Sequence, residues 1–397
     1  MRKLSVGVFT YSTKPRGSVV HAAALVEALT RLGHDATLYA LHKDGEGFYR
    51  PLHAKLALIP ARPAPGGTDA LVLQRTEELA AFLRSARTAH HVFHAEDCLV
   101  ASGLLRASAA VRMPVLVRTI HHVERFDSPY LDRCQTASIV RADVLVAVSQ
   151  ATRRAVQARF GLDAAVIESG VDLPRFGARS RAAESALRER LGVSDEGPLL
   201  LSIGGVEPRK NTLAMLEGFV RARAAHPAAK WIIAGGASVL DHSAYVDAFE
   251  RRLSELTAEA RAAVVRVGVL TEEDLTTLIQ TASVLVHTSV HEGWGLCVLE
   301  ALAAGTPAVV SRGEPFDEYL DDSTAILVDP SSPEEIALGI EDALREPGRQ
   351  TAAGRALAAR YSWAATALRH VELYERARRV PPSIPLHPQQ LATLEEP

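Results

Sequence analysis

The sequence predicts an α/β protein built from two doubly wound parallel sheets. Three observations carry this. Strand-length apolar runs alternate with longer amphipathic stretches almost throughout, the pattern of parallel strands with helices on both faces of the sheet. The alternation lapses once, around residues 172–198, and then restarts. The length, 397 residues, suits two or three domains at roughly 150 residues each.

In order along the chain, LSVGVFT (4–10) reads as a buried strand and leads into a loop with Pro15 and Gly17. VVHAAALVEALTRLG (19–33) has apolar residues at helical spacing and is closed by Gly33. ATLYAL (36–41) is the next strand, and an arginine-bearing helix is expected near 71–87. HVFHA (91–95), VLVRTI (115–120), VLVAVS (144–149) and AVIE (165–168) complete the first set. Residues 1–175 are therefore expected as an N-terminal domain, and the Pro-, Gly- and charge-bearing residues 176–198 as a linker. The second set is LLLSIGG (199–205), KWIIAGG (230–236), AVVRVGV (263–269), SVLVHT (283–288), PAVVS (307–311) and AILVD (325–329), within a C-terminal domain at 199–360. Residues 361–379 read as an amphipathic helix packing back on the N-terminal domain. Residues 380–397, with five prolines in 18 residues, read as an exposed tail. Two such halves are expected to leave a cleft between them, with ligands held outside the carboxyl ends of the strands.

Composition narrows the function. Apolar residues make up 47% and charged residues 23%, which excludes a disordered or collagen-like chain. The net charge of −3 gives no basic field for nucleic acid. Only six of the 44 cations are lysine, so a lone arginine means little and a well-placed lysine means more. Three cysteines without a CxxC pair point to a reducing compartment. The N-terminus lacks a signal-peptide h-region, and no run of 18 apolar residues exists, so a cytoplasmic protein is expected.

HEGWGLCVLEALAAGTPAVVS (291–311) is the most informative segment. A strand ends near Thr288, a turn with Gly293 and Gly295 follows, and a helix begins near Leu296. Such a helix start aims backbone N–H groups and the positive dipole end at the loop, a ready anion site. Glu292 and Glu300 could offer one carboxylate near the anion and one deeper. The plainer reading is a tight strand–helix turn whose acids suit the helix dipole. SIGGVEPRKNTLAMLEGF (202–219) repeats the theme: Gly204 and Gly205 end a strand, and Arg209 and Lys210 precede a helix. Two cations beside a helix N-terminus suit a diphosphate without a metal, although ordinary surface cations on a loop would look alike. Gly17 and Ser18 open the first helix and could meet the same anion, a weak signal alone. His121, after VLVRTI, can contact a ligand or move a proton, with His122 its competitor. His287 and His291 precede Glu292, but without HExxH no metal site is expected there.

Absences also discriminate. There is no Gly-Lys pair and hence no Walker A loop, and no GxGxxG follows a strand. Asp-x-Asp and GxSxG are missing, so neither a carboxylate pair for a metal–diphosphate nor a hydrolase elbow is present.

Together these residues resemble the retaining glycosyltransferases of family 4, whose GT-B architecture has two facing Rossmann-like domains and an interdomain cleft. The resemblance covers nearly the whole chain. Its most specific element is E-x7-E, Glu292 to Glu300, continued by ALAAGTPAVVS. RLGHDATLYA (31–40), TIHH (119–122), DVLVAVS (143–149), VIESGVD (166–172) and YSW (361–363) support it, with STKPRG and GGVEPRKN as the two glycine loops. The resemblance implies transfer of a sugar from a nucleotide-diphosphate donor with retention, without a metal or other cofactor. It implies that Glu300 holds the ribose hydroxyls and Glu292 the hydroxyls of the transferred sugar. Lys210 with a neighbouring arginine would neutralise the diphosphate, and the backbone N–H groups of Gly295 and Leu296 would bind its distal phosphate, with Gly293 and Gly295 leaving room for a phosphate to approach. Gly17 would approach the same phosphates, His121 the donor sugar, and Val267 and Gly268 the base. Three positions depart from the family pattern: Gly205 replaces a frequent arginine, Ser169 an asparagine and Cys297 a proline. The acceptor is left open among small molecules, lipids and glycans, with peripheral membrane contact through 71–87 one option. A GT-B phosphorylase or epimerase, and a non-catalytic nucleotide-sugar binder, are the alternatives.

Overall fold

Thirteen short strands form two separate parallel sheets among the described residues. The structure, a computed structural model, describes residues 3–379 apart from 43, 44, 46, 65, 87, 194–196 and 237–241. The chain divides into two units, residues 1–170 with 363–397, and residues 171–362.

The first unit holds β1 (Ser5–Thr10), β2 (Asp35–His42), β3 (Lys55–Pro60), β4 (Val92–Ala95), β5 (Val115–Ile120), β6 (Val144–Ala147) and β7 (Ala165–Val166). They pair in parallel in the order β3-β2-β1-β4-β5-β6-β7. β4 and β5 are buried along their whole length, His94, Arg118 and Thr119 included, which is why they do not show the alternation of a strand with one wet face. The strand order reverses between β1 and β4. At such a switch point the loops after the two strands diverge and open a crevice at the carboxyl rim.

The second unit repeats this plan with β8 (Leu199–Ile203), β9 (Lys230–Ala234), β10 (Val264–Gly268), β11 (Val284–His287), β12 (Ala308–Ser311) and β13 (Ile326–Val328). The order β10-β9-β8-β11-β12-β13 is again parallel throughout, with its switch point between β8 and β11. Its core is centred on Leu216, Phe219, Trp231, Phe249 and Ile336, all buried. Both units are Rossmann-like, as expected.

Two parts differ from the sequence reading. β3 was not anticipated: it is the edge strand beside β2, and Lys55, Leu56, Leu58 and Pro60 face solvent enough to blur any apolar pattern. The expected linker 176–198 contains the helix Arg181–Leu191, capped by Ser180 and ended by Gly192 at φ 64°. Only Leu187 of that helix is buried, so its charged composition concealed it. The helix Trp363–Ala377 belongs to the first unit and packs on the helix Gly17–Arg31. The expected tail at 380–397 lies outside the described residues. No helix among the described residues is long and apolar enough to cross a membrane.

Candidate active site

The carboxyl rim of the second sheet gathers most of the expected site residues. β8 runs into Gly204, whose φ of 135° is open only to glycine in practice. At Gly205 a Cβ would lie 2.5 Å from the Gly236 carbonyl oxygen, so this backbone has no room for a side chain there. The loop then makes a single 3-10 turn, Pro208–Lys210, and passes through Asn211 at φ 61°. Asn211 is tied down by its side-chain amide, which donates to the carbonyls of Thr288 (3.1 Å) and Pro330 (2.7 Å). The Val290 N–H donates to the Arg209 carbonyl at 3.0 Å, which locks this loop to the one after β11.

These ties bring Lys210, Arg209 and Glu292 together. The Lys210 ammonium donates to Glu292 Oε2 at 2.6 Å, and its side chain is only 13% exposed. Arg209 donates to both Glu292 oxygens at 3.2 and 3.3 Å and to Glu207 at 2.9 Å. His287 Nε2 lies 3.2 Å from Glu292 Oε2. Burial alone would raise the Glu292 carboxyl, but Lys210, Arg209 and His287 hold it well below its usual range. Burial and the Lys210 charge push His287 down to about 4, so the ring is neutral near pH 7. Cys297, 3.4 Å from His287 Nδ1, is pushed up to about 12 by burial and remains an inert thiol.

The glycine turn ends at Gly295, φ 89°, which caps the helix Leu296–Ala304 without a side-chain hydrogen bond. The Val298 N–H turns back to the Gly295 carbonyl at 2.9 Å, so it is the N–H groups of Leu296 and Cys297 that the helix leaves to a ligand or water. A Cβ on Gly295 would sit 2.5 Å from the Phe316 ring, and Tyr319 fixes the turn by donating to the Trp294 carbonyl at 2.7 Å. Gly293 precedes it, with its N–H 3.3 Å from Glu292 Oε1. Glu300 stands apart from the Glu292 group. It accepts from Arg175 at 2.9 Å, and burial raises its carboxyl against the pull of that arginine. Val267 and Gly268 end β10 on the same rim, Val267 half-buried and Gly268 exposed at φ 67°.

Gly17, Ser18 and His121 lie in the other unit. Gly17 is exposed and begins its helix with no side-chain cap, and Ser18 follows it half-buried. His121 and His122 diverge. His121 Nε2 bonds Glu96 Oε2 at 2.9 Å, whereas His122 pairs with Glu124 at 2.7 Å. Burial pushes His121 down to about 4 despite Glu96. Sequence reasoning missed Glu96 and His21, whose Nδ1 is 3.0 Å from the same oxygen. It also missed Arg175 and Asn211, and it set His287 aside. Only the glycine-like position of Asn211 ahead of a helix gave a usable signal.

With this geometry in place, comparison with known proteins is informative. The model of the family "Glycosyltransferase Family 4" matches residues 15–175, and that of "Glycosyl transferases group 1" matches 184–360. Between them the two spans leave only 176–183 unmatched from 15 to 360. The chain belongs to glycosyltransferase family 4. Among its relatives, the GDP-mannose-dependent monoacylated alpha-(1-6)-phosphatidylinositol monomannoside mannosyltransferase of Corynebacterium glutamicum is 27% identical over 56% of this chain and 59% of its own length. The D-inositol 3-phosphate glycosyltransferase of Kineococcus radiotolerans is 32% identical over 59% and 58%. The chain thus spans under three-fifths of the length of these two relatives. The crystal structure of Anabaena HepE in complex with UDP and glucose shares the fold, with a TM-score of 0.74, 18% identity, and coverage of 94% of this chain and 99% of that one. This GT-B likeness agrees with the two Rossmann-like units.

Proposed function

We propose that this family 4 protein transfers a sugar from a nucleotide-diphosphate donor to an acceptor hydroxyl, with retention and without a metal ion on the diphosphate. The observation that carries the reading is the meeting of Lys210, Arg209 and Glu292 at the switch point of the second sheet, beside an uncapped helix start. Breaking the glycosidic bond builds positive charge on the sugar and negative charge on the departing diphosphate. Fixed cations and amide dipoles in a poorly hydrated site meet that negative charge without reorganising.

In this reading Lys210 turns from Glu292 to the diphosphate when donor binds, and Glu292 accepts hydrogen bonds from sugar hydroxyls. The N–H groups of Gly295 and Leu296 take the distal phosphate, Glu300 the ribose, and the rim at Val267 and Gly268 the base. Glu292, surrounded by cations, is a poor nucleophile, which favours attack from the face the diphosphate leaves. The acceptors named for the relatives, inositol 3-phosphate and a phosphatidylinositol monomannoside, make a polyol or glycolipid hydroxyl the class to test first. The donor chemistry and the free thiols Cys98, Cys134 and Cys297 fit a reducing, cytoplasmic setting.

A thermal-shift panel of UDP, GDP and ADP tests donor binding, followed by nucleoside-diphosphate release with polyol acceptors. Proton NMR of the first product then reads the anomeric configuration. An inverted product, or a melting temperature unmoved by all three nucleotides, overturns the reading.

A further inference from the structure

We infer that His21, Glu96 and His121 form a binding site for a divalent transition cation of the zinc class. Three separate elements converge here: His21 comes from the helix Gly17–Arg31, Glu96 follows β4, and His121 follows β5. Their ligand atoms, His21 Nδ1, a Glu96 oxygen and His121 Nε2, all lie within 4.8 Å of one another. Glu96 Oε2 is 3.0 Å from His21 Nδ1 and 2.9 Å from His121 Nε2. Tetrahedral bonds of about 2.0–2.2 Å place ligand atoms about 3.3 Å apart, so the two Glu96 contacts need open by only a few tenths of an ångström, while the two histidine nitrogens start no more than 4.8 Å apart.

Hydrogen bonding accounts for only part of this cluster, the contact of His121 Nε2 with Glu96 Oε2. Both ring nitrogens of His21 are buried without a hydrogen-bond partner, although Nδ1 lies 3.0 Å from the carboxylate. A nitrogen lone pair shared with an ion between the two groups would satisfy both the ring and the carboxylate. Glu96 Oε1 is likewise buried and unpartnered. A fully buried carboxylate calls for a counter-charge. Among the described residues, every ion-pair contact of Glu96 is with a histidine.

The surroundings hold the ligands in place. His21 packs edge-on against Trp363 at 5.3 Å and His121 at 5.1 Å. Behind Glu96, His94 is fixed by Thr119 at 2.6 Å and Tyr374 at 2.5 Å. Outer partners of this kind orient metal ligands. His121 is 20% exposed while His21 and Glu96 are sealed, so an ion enters, and keeps an open coordination position, on the His121 side. Two imidazoles, one carboxylate and an open position are a donor set that zinc accepts readily.

The test uses the full chain, incubated with zinc, passed through gel filtration and assayed for metal by mass spectrometry. About one zinc per chain is expected, with four-coordinate ligand-field bands when cobalt replaces it. Glu96→Gln and His121→Asn are expected to weaken zinc binding about tenfold or more. Lys210→Ala is expected to bind zinc as wild type does, so this outcome is independent of the proposed transfer. Should a variant fail to fold, the cobalt spectrum of the wild-type chain decides alone. Wild-type protein that retains neither metal, or folded variants that keep zinc unchanged, overturns the site.

Discussion

Replacing Lys210 by alanine removes the cation assigned to the departing diphosphate. The Lys210 ammonium lies 2.6 Å from Glu292 Oε2 and is 13% exposed, so it acts in a poorly hydrated environment. Two unit charges about 4 Å apart at an effective dielectric of 20 interact by about 4 kcal/mol. Loss of one preorganised donor to developing negative charge typically raises a barrier by about 2.7–4 kcal/mol. Arg209 stays beside Glu292, and the helix start at Leu296 is untouched, so the loss stays within that range. A fall in kcat of about 10²–10³-fold follows. The fold should survive, because Arg209 and His287 still contact the Glu292 carboxylate. The assay is nucleoside-diphosphate release at saturating donor, with thermal melting as the check on folding. A folded variant whose kcat stays within about threefold of wild type would refute the assignment.

Three further outcomes are expected. Gly295→Ala forces a side chain into φ 89° and 2.5 Å from Phe316, and should cost at least about 2 kcal/mol in denaturant unfolding; an unchanged midpoint contradicts the tight turn. Glu300→Gln removes a charged acceptor and should weaken nucleoside-diphosphate binding about tenfold or more by calorimetry, while Lys210→Ala should leave ribose recognition intact; equal affinity for wild type and Glu300→Gln would rule out the ribose role. His287 has its folded-state pKa depressed from 6.5 to about 4, so the unfolded chain takes up a proton there that the folded chain refuses. Its contribution is whole above pH 6.5 and is lost as pH falls towards about 4, by at most about 1.4 kcal/mol per pH unit. Urea midpoints of wild type and His287→Asn across that window should converge as pH falls; parallel curves would refute the shift.

Much of this fold was legible because parallel strands buried on both faces, such as LLLSI of β8 and AVVS of β12, read as short, mostly apolar runs that recur between longer amphipathic stretches. β3 was not legible: it is an edge strand, and its half-exposed leucines lose the pattern that burial imposes. The helix Arg181–Leu191 buries one residue, so its charges dominated its composition. In the site, Glu292 and Glu300 could be read together because their spacing spans a turn and one helix. Their partners could not. Arg175 meets Glu300 across 125 residues of sequence, and the contacts that Arg209 and Lys210 make with Glu292 span more than 80. The Arg209 and Lys210 pairings exist only once the sheet has brought the β8 and β11 loops side by side, and the Arg175 pairing only once the turn Leu173–Phe176 meets the helix Leu296–Ala304. His21 was hidden differently, since a histidine on the apolar face of a helix looks like any other core residue.

The proposed transfer depends on where the charge of the departing group is met. A crystal structure of the protein with bound nucleoside diphosphate addresses it most directly. The phosphates should lie within hydrogen-bond reach of Lys210 Nζ and of the N–H groups at Gly295 and Leu296, with no ion bridging them. Phosphates seated away from that rim, or clamped there by a divalent cation, would contradict it.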